Sequence, residues 1–441
     1  MKKNARIIVL FLVAALALSA CKVQTPVPPT AVPSATAEDT SATPEGTVET
    51  VSGTPTATPD TRLSDDEGLM ICTPMQPFFP ELTQEEKDQL AIFPEVTSAD
   101  WTLGPEDATL TIMAYDDFQC PACASFYQEL ETLMEKYPGE VRFIFRHFPL
   151  VSIHPNATLA AQASEAAGLQ DKFWDMYHAL YSKQSEWSAL TTEEFTAWLT
   201  TEAETLGLDV AQFTSDLTSE AIVQKIQNEI TYDQSIGLNS TPTLLVNGRP
   251  WQYDWSASTL GMVIEVLKAE KDLDMVCPPF VIDTEKTYTA TITTEHGDMV
   301  FELYPKEAPL AVNSFVYLAR EGFYDGITFH RVMHDFVAQA GDPSGTGISG
   351  GGYEYREEIA ATLTFDEPYM LGVARANQAN TSGSQFFITY VAYPTLNGQY
   401  TIFGKLIEGV DVLNQITERD TSTNPDAPAG DKIISITITE D

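Results

Sequence analysis

Basic residues are scarce in this chain of 441 residues: 24 lysines and arginines stand against 63 aspartates and glutamates, a formal charge of −39. So acidic a surface repels phosphate backbones and anionic headgroups, which argues against nucleic acid as a partner and against electrostatic docking on a membrane. Long apolar runs are missing as well. The one continuous apolar stretch, Ile7 to Leu18, falls short of the roughly 20 residues that a spanning helix needs. Histidines number six and cysteines five. His330 and His334 stand close together, but the cysteines lack a second close-spaced ligand pair, so neither a metal nor a cofactor is expected. Aromatic residues are absent from Lys22 to Asp60, where Pro, Thr, Ala, Ser and Val dominate. Such a stretch cannot bury enough apolar surface to offset its ordering entropy.

These gaps frame the N-terminus. Lys2, Lys3 and Arg6 precede the apolar run, and Leu18-Ser19-Ala20-Cys21 closes it, the layout of a signal peptide with small residues before the cut. The closing tetrapeptide is similar to a bacterial lipobox, which implies that Cys21 becomes the lipidated N-terminus. Residues 1–21 therefore read as a lipoprotein signal peptide. Residues 22–68 read as a disordered Pro/Thr-rich linker, whose roughly 40 residues from Lys22 to Asp60 reach at most roughly 120 Å at ~3.1 Å per residue. The expected location is extracytoplasmic, on the outer face of the cell membrane, with the lipid as anchor. The remaining length predicts two domains.

With Cys21 assigned to lipid, four cysteines remain: Cys72, Cys120, Cys123 and Cys277. Outside the cytosol an even set invites pairing. Cys120-Pro121-Ala122-Cys123 has the spacing of a redox dithiol. Cys72 and Cys277 are then left to each other, as a structural disulfide clasping the ends of the segment between them. Thr109 to Tyr115 predicts a strand, and Pro121 to Tyr137 a helix with Phe126, Leu130 and Leu133 on one face. Cys120 thus falls at a helix N-terminus, where unpaired N–H groups and the positive helix end stabilise a thiolate. Cys120 is expected to be the exposed nucleophile and Cys123 the buried resolving thiol. A strand from Val141 to Phe148, a helical block, and one helical stretch from about Asp209 to Asp233 follow. The chain then returns through Ser240-Thr241-Pro242-Thr243-Leu244.

The CxxC at a strand–helix junction, followed by Thr241-Pro242-Thr243, resembles the thioredoxin superfamily, in its DsbA-like branch with a helical insertion. The resemblance implies that Pro242 is the family's cis-proline beside the dithiol, with Thr241 facing the incoming peptide. Two departures leave the direction of electron flow open. Ala122 stands where the strongest oxidant of the branch has histidine. Ala114, six residues before Cys120, stands where many relatives bury a proton-relaying Glu; Asp116 or Asp117 is a candidate substitute, and a solvated role for either is the alternative.

After Pro278-Pro279 the pattern changes to paired strands, Thr287 to Thr293 and Met299 to Tyr304, and then a helix from Ala308 to Arg320. Phe329-His330-Arg331, Phe336-Val337-Ala338-Gln339, Val373-Ala374-Arg375 and Ser384-Gln385-Phe386-Phe387 follow. This set resembles cyclophilin, of the compact bacterial type. It implies a peptidyl-prolyl isomerase in which Arg331 donates to the prolyl nitrogen as the amide twists. Phe336, Val337, Phe387 and Leu396 would form the proline pocket. Gln339 and Gln385 would hold the substrate backbone or position Arg331, and Ala374 and Arg375 would contact the preceding residues. Tyr400 stands where many relatives have His, and Thr395 where they have Trp, which implies normal catalysis with weak cyclosporin binding.

The expectation is a multidomain chain. A disordered N-terminal tether leads into an α/β thioredoxin fold with helical insertion (69–282, flanking segments included), followed by a β-barrel cyclophilin-like domain (283–441). Its expected partners are unfolded or partly folded secreted proteins, the membrane through the lipid anchor, and a membrane redox partner.

Overall fold

The computed structural model describes residues 62–420 and 427–441. Cys21, the signal peptide 1–21 and most of the linker 22–68 lie outside the described residues. No helix among those described is long and apolar enough to cross a membrane.

The chain opens with a two-residue strand, β1 (Thr73–Pro74), and a short helix, α1 (Gln84–Leu90), started by a capping box between Thr83 and Glu86. Five strands then build one sheet: β2 (Trp101–Leu103), β3 (Leu110–Asp116), β4 (Val141–His147), β5 (Thr243–Val246) and β6 (Arg249–Trp251), in the order β2-β4-β3-β5-β6. Only β3 and β4 run parallel, joined by the crossover helix α2 (Pro121–Lys136). Between β4 and β5 stands the helical insertion: α3 (Ala157–Gly168), α4 (Phe173–Ser182), α5 (Gln184–Trp187), α6 (Thr192–Thr205), α7 (Val210–Leu217) and α8 (Glu220–Ser235). The single helical stretch expected over 209–233 is thus two helices. Ser219 breaks it, because its side chain accepts the Ile222 N–H and starts a new N-terminus. Helix α9 (Ala257–Glu270) closes this dithiol domain against α2.

Central β3 is buried along almost its whole length, and its side chains alternate between two cores. Leu110, Ile112 and Ala114 face the core of α2, α9 and the insertion. Met113 and Tyr115 face a smaller cluster with Ile144, Phe148 and Leu245. The expected strand and helix bounds here hold to within a residue or so.

The C-terminal domain follows: β7 (Tyr288–Thr294), β8 (Gly297–Leu303), α10 (Pro309–Arg320), β9 (Arg331–Val332), β10 (Val337–Ala340), β11 (Tyr353–Glu354), β12 (Met370–Arg375), β13 (Ser382–Thr389), β14 (Ile402–Glu408), α11 (Val410–Leu413) and β15 (Ile433–Glu440). Eight of these strands form a curled sheet in the order β15-β7-β8-β14-β12-β13-β10-β9. The chain just before β9 returns to the opposite edge, with a Thr328–Lys432 bridge and the Ile433 N–H donating to the Ile327 carbonyl. Sheet edges left bare invite association, and this bridging covers two of them.

The segment ahead of the dithiol domain packs on the C-terminal domain. Met70 is buried in that domain's core together with Ile282. The Met70 N–H donates to the Pro278 carbonyl, the Phe280 N–H to the Gly68 carbonyl, and β1 pairs with β11. Buried Asn313 of α10 fixes the returning strand, accepting from the Val281 N–H at 2.6 Å and donating to the Pro279 carbonyl at 3.0 Å. Cys72 and Cys277 form a disulfide with Cα atoms 5.7 Å apart. Two expectations are corrected here. Residues 62–68, expected as the end of a disordered linker, form a turn in which the Asp65 carboxylate accepts from the Glu67 and Leu69 N–H groups. Residues 69–75 and 278–282, taken by sequence as flanking segments of the dithiol domain, pack instead on the C-terminal domain, with Met70 and Ile282 buried in its core, so the disulfide ties both ends of the excursion to that domain.

Candidate active sites

Cys120 is the N-cap of α2 and Pro121 its first residue, where the missing proline N–H is no loss. Cys120 and Cys123 are free thiols and both buried, Cys120 less completely than Cys123; the expected exposed nucleophile is thus shielded. The peptide Thr241–Pro242 is cis, and the Cys120 Sγ lies 3.5 Å from the Thr241 carbonyl oxygen. The Cys120 thiol is brought down to about 5, chiefly by the Cys123 thiol that donates to it. Burial opposes the change, and the otherwise unpartnered Thr241 hydroxyl and the N–H groups of Cys123 and Ala122 add to it. Burial, then Cys120 and Asp116, push Cys123 far up. One thiol is therefore charged at neutral pH and the other is held protonated.

The two candidate carboxylates separate cleanly. Asp117 is buried and fully engaged: it accepts from the Gln119 and Leu150 N–H groups and pairs with His154 Nδ1 at 2.7 Å. Its work is to shape the loop. Asp116 is buried with neither oxygen holding a well-aligned hydrogen bond. Burial pushes it up to about 7, partly offset by the Cys123 thiol and the Tyr181 hydroxyl that face it. Asp116 lies two residues beyond Ala114, on the same face of β3, one pleat nearer the cysteines. Sequence reasoning missed Tyr177 and Tyr181, whose buried hydroxyls have no partner beside this carboxyl. Their spacing of four on an apolar helix was the available signal. It also missed Gln184, whose amide donates to the carbonyls of Phe118 and Cys120 at 2.8 and 2.9 Å and so fixes the turn into α2.

In the C-terminal domain one cross-strand row builds the site. Arg331 on β9 stands opposite Gln339 on β10, Gln339 opposite Phe387 on β13, and Phe387 opposite Gly372 on β12. Directly opposed residues share a face, so the guanidinium, the amide and the ring line up across the curl. Gly372 leaves the room: a Cβ there would stand 2.5 Å from the Phe387 ring. Phe336, Val337, Phe387 and Leu396 are all buried. Phe336 packs on Tyr393 at 4.6 Å, and Phe387 meets Tyr400 edge-on at 5.7 Å. The Arg331 guanidinium is 5.8 Å from the Phe336 ring centre. Burial lowers its basicity, countered by Asp420 and Tyr400, yet arginine keeps its proton in such settings.

Gln339 donates to the Gln385 carbonyl oxygen at 2.9 Å, and Gln385 donates to the backbone carbonyls of Gly347 and Ser349. The two glutamines thus bind each other and the glycine-rich loop rather than Arg331. Ala374 and Arg375 end β12. Arg375 lies 4.9 Å over the Tyr400 ring and donates to the Gln399 carbonyl. Thr395, in the position expected to lack an indole, is exposed. His330 is buried with neither ring nitrogen partnered, and burial brings it to about 4. The one group of side chains among the described residues close enough to grasp a metal ion is Glu295, His296 and Asp431, which was not foreseen from the sequence.

Residues 289–438 match the family described as cyclophilin type peptidyl-prolyl cis-trans isomerase, and residues 97–266 match the family described as thioredoxin. A peptidyl-prolyl cis-trans isomerase of Helicobacter pylori is 45% identical over 137 residues, 31% of this chain and 83% of that protein. A probable peptidyl-prolyl cis-trans isomerase A of Mycobacterium bovis is 42% identical, over 34% of this chain and 92% of the other. The mouse peptidylprolyl isomerase domain and WD repeat-containing protein 1 is 41% identical, but the match spans only 24% of its length. Among solved structures, a cyclophilin type isomerase of Cryptosporidium parvum is 38% identical with a TM-score of 0.33, covering 35% of this chain and 99% of that one.

Proposed function

Since the chain belongs to the cyclophilin type peptidyl-prolyl cis-trans isomerase family, we propose that it is an exported folding catalyst joining proline isomerisation to thiol–disulfide exchange. Rotation about an X–Pro bond faces a barrier near 20 kcal/mol, set by amide resonance. The row Arg331–Gln339–Phe387 carries the isomerase reading. It supplies an apolar seat for the proline ring and a permanently charged donor beside it. As the amide twists, the prolyl nitrogen gains lone-pair character, and a fixed N–H aimed at it stabilises the twisted state more than the planar one. Gln339, held by Gln385, offers its amide to the substrate backbone, and Ala374 and Arg375 line the path of the residues before the proline.

The Cys120 thiol at about 5 carries the redox reading. A low thiol pKa stabilises the reduced pair, so the disulfide form is an oxidant. A client thiolate attacks the Cys120 Sγ of the Cys120–Cys123 disulfide. The S–S bond breaks, Cys123 leaves as a thiolate and takes its proton by way of Asp116, and a mixed disulfide links Cys120 to the client. A second client thiolate attacks that bond and releases Cys120 as a thiolate, so two electrons have passed from client to protein. Return to the disulfide needs an oxidising partner, which we place in the membrane.

Export, lipidation at Cys21 and a tether over residues 22–61 would hold both sites at the outer face of the membrane. There the clients are unfolded secreted proteins. One tethered chain offers the second site at high effective concentration once the first is engaged. Refolding a reduced substrate that contains disulfides and cis-prolines tests this reading, using Cys120→Ser and Arg331→Ala variants singly. Each variant is expected to lose one phase only. Full activity in both would leave a non-catalytic binding protein. A reduction potential near about −270 mV rather than toward about −120 mV would reverse the direction to a reductase.

A further inference from the structure

Just past β9, which carries Arg331, stands a side chain that neither reaction uses. Met333 lies two positions beyond Arg331, and side chains two apart on an extended strand share a face. Its backbone is pinned in both directions. The Met333 N–H donates to the Val337 carbonyl at 2.8 Å, and the Phe336 N–H donates to the Met333 carbonyl at 2.9 Å. The turn from β9 to β10 thus fixes Met333 beside the proline seat, and the Arg331 Nη2 points at its sulfur from 3.9 Å.

Both sides of that contact matter. A thioether is a weak acceptor on a flexible stem, so the guanidinium can leave it at little cost and turn to the prolyl nitrogen. The sulfur is also within reach of small solutes. Met70, Met113, Met176, Met299 and Met370 are buried, which shields them. Met333 is only half-buried, and it borders a surface that has to stay open to client chains. Oxidation of methionine makes this apolar side chain polar, and the change is chemically reversible.

We propose that Met333 is an oxidation site that controls the isomerase, its sulfoxide holding Arg331 back from the substrate; this rests on the isomerase reading of Arg331. The co-reactant is a peroxide. The Met333 sulfur attacks one oxygen of hydrogen peroxide, the O–O bond breaks, an S–O bond forms and water leaves. Sulfur loses two electrons and the peroxide gains them. An oxygen carried on a sulfur 3.9 Å from Nη2 comes within reach of an N–H···O bond of about 2.7–2.9 Å, and bonds from a charged donor are roughly twice as strong as neutral ones. Arg331 then gives up a strong bond, rather than a weak one, before it donates to the twisted amide. The resting state gains stabilisation that the transition state lacks, which slows the reaction. Sulfoxide reductases restore the thioether and with it the rate.

Hydrogen peroxide treatment of the purified full chain, with Cys120 and Cys123 in the disulfide form, tests the proposal. Peptide mass mapping reads the sulfoxide at Met333, and isomerisation of a proline peptide reads the rate. The expected result is a fall in kcat/KM of roughly tenfold or more, in step with the sulfoxide fraction at Met333. Methionine sulfoxide reductase is expected to reverse it. Met333→Leu keeps the volume without the sulfur, and the same treatment is expected to lower it less than about twofold from its own starting rate. An unchanged rate at full Met333 oxidation, an equal loss in Met333→Leu, or a Met333 that stays a thioether while half-buried Met134 is oxidised would each overturn it. An untreated chain with no isomerase activity would overturn the reading of Arg331 as well. The wild-type time course and its reversal decide alone if Met333→Leu fails to fold.

Discussion

Replacing Asp116 by Asn should change how stability depends on pH, in a direction and by an amount that follow from burial. Asp116 is completely enclosed, and its carboxyl is pushed from the ordinary 3.8 of an aspartate up to about 7. In the unfolded chain it titrates near the ordinary value. Between the two values the folded protein holds a proton that the unfolded chain has lost, so this residue's contribution to stability falls as pH rises and levels off above about 7. The gap is about three pH units, and each unit corresponds to about 1.4 kcal/mol, so the buried carboxylate costs about 4 kcal/mol above pH 8. Asn has nearly the same shape and no charge. Its unpaired amide adds a pH-independent penalty of about 1–3 kcal/mol. The stability of Asp116→Asn relative to wild type should therefore climb by about 4 kcal/mol between pH 4 and pH 8.5, whatever its offset at pH 4. Denaturant unfolding of the reduced protein at several pH values reads this directly, because every other titrating group is common to both chains. In the oxidised protein the climb should grow, since the Cys123 thiol that donates to Asp116 and lowers it is lost, and this outweighs the loss of the Cys120 thiolate that raises it. A difference that stays flat with pH would mean that Asp116 is not a buried acid, and the proton path to Cys123 would fall with it.

Other outcomes follow from the same geometry. The absorbance of the Cys120 thiolate at 240 nm should titrate with a midpoint near 5, and a midpoint above 8 would remove the basis for an oxidant. Arg331→Ala should lower kcat/KM for proline isomerisation by roughly 100- to 1,000-fold, as loss of a transition-state donor does elsewhere. Gly372→Ala should lose activity too, because its Cβ would stand 2.5 Å from the Phe387 ring; crystallography of that variant with Phe387 unmoved would refute the reasoning. Cys72→Ser with Cys277→Ser opens a bridge between residues 205 apart. The chain-entropy estimate for so long a loop is about 5 kcal/mol, to be read as loss of C-terminal domain stability in thermal unfolding. Thr395 provides no indole surface beside Leu396, so cyclosporin should inhibit only weakly, and nanomolar inhibition would contradict that.

The sequence showed most where local chemistry decides structure. Cys120 and Pro121 mark a helix start by residue type, and the run from Thr109 to Tyr115 marks a strand; that β3 is buried on both faces emerged only in the structure. The cross-strand row was legible only as separate motifs, because Arg331, Gln339 and Phe387 meet through sheet register rather than spacing. Asp116 was visible as one of two candidates, and burial alone could not choose between them. Both aspartates are buried, and hydrogen bonding separates them: Asp117 accepts from backbone and histidine while Asp116 has no well-aligned partner. Ser219 inside a helical pattern reads equally well as a tolerated residue or a cap until the following N–H is placed. The role of residues 69–75 was not legible. A short apolar stretch such as Leu69-Met70-Ile71 contains no signal naming the core it will enter.

That stretch also explains why the two domains share a chain in this particular way. β11 would present unpaired backbone groups, and β1 covers it in register, Thr73 to Glu354 and Pro74 to Tyr353. Proline lacks an N–H, so its use in β1 suits a strand with a partner on one side only. Gly352, beside β11, has the Asp274 carbonyl so close that a Cβ would stand 2.6 Å from it. The Met75 N–H donates to the Gly352 carbonyl. The glycine-rich loop thus has the strap bound at Gly352 and Gln385 bound at Gly347 and Ser349. Gln385 in turn fixes Gln339 in the row that contains Arg331. A segment that precedes the dithiol domain in sequence therefore braces the loop behind the other domain's site, and the Cys72–Cys277 bond keeps that brace in place.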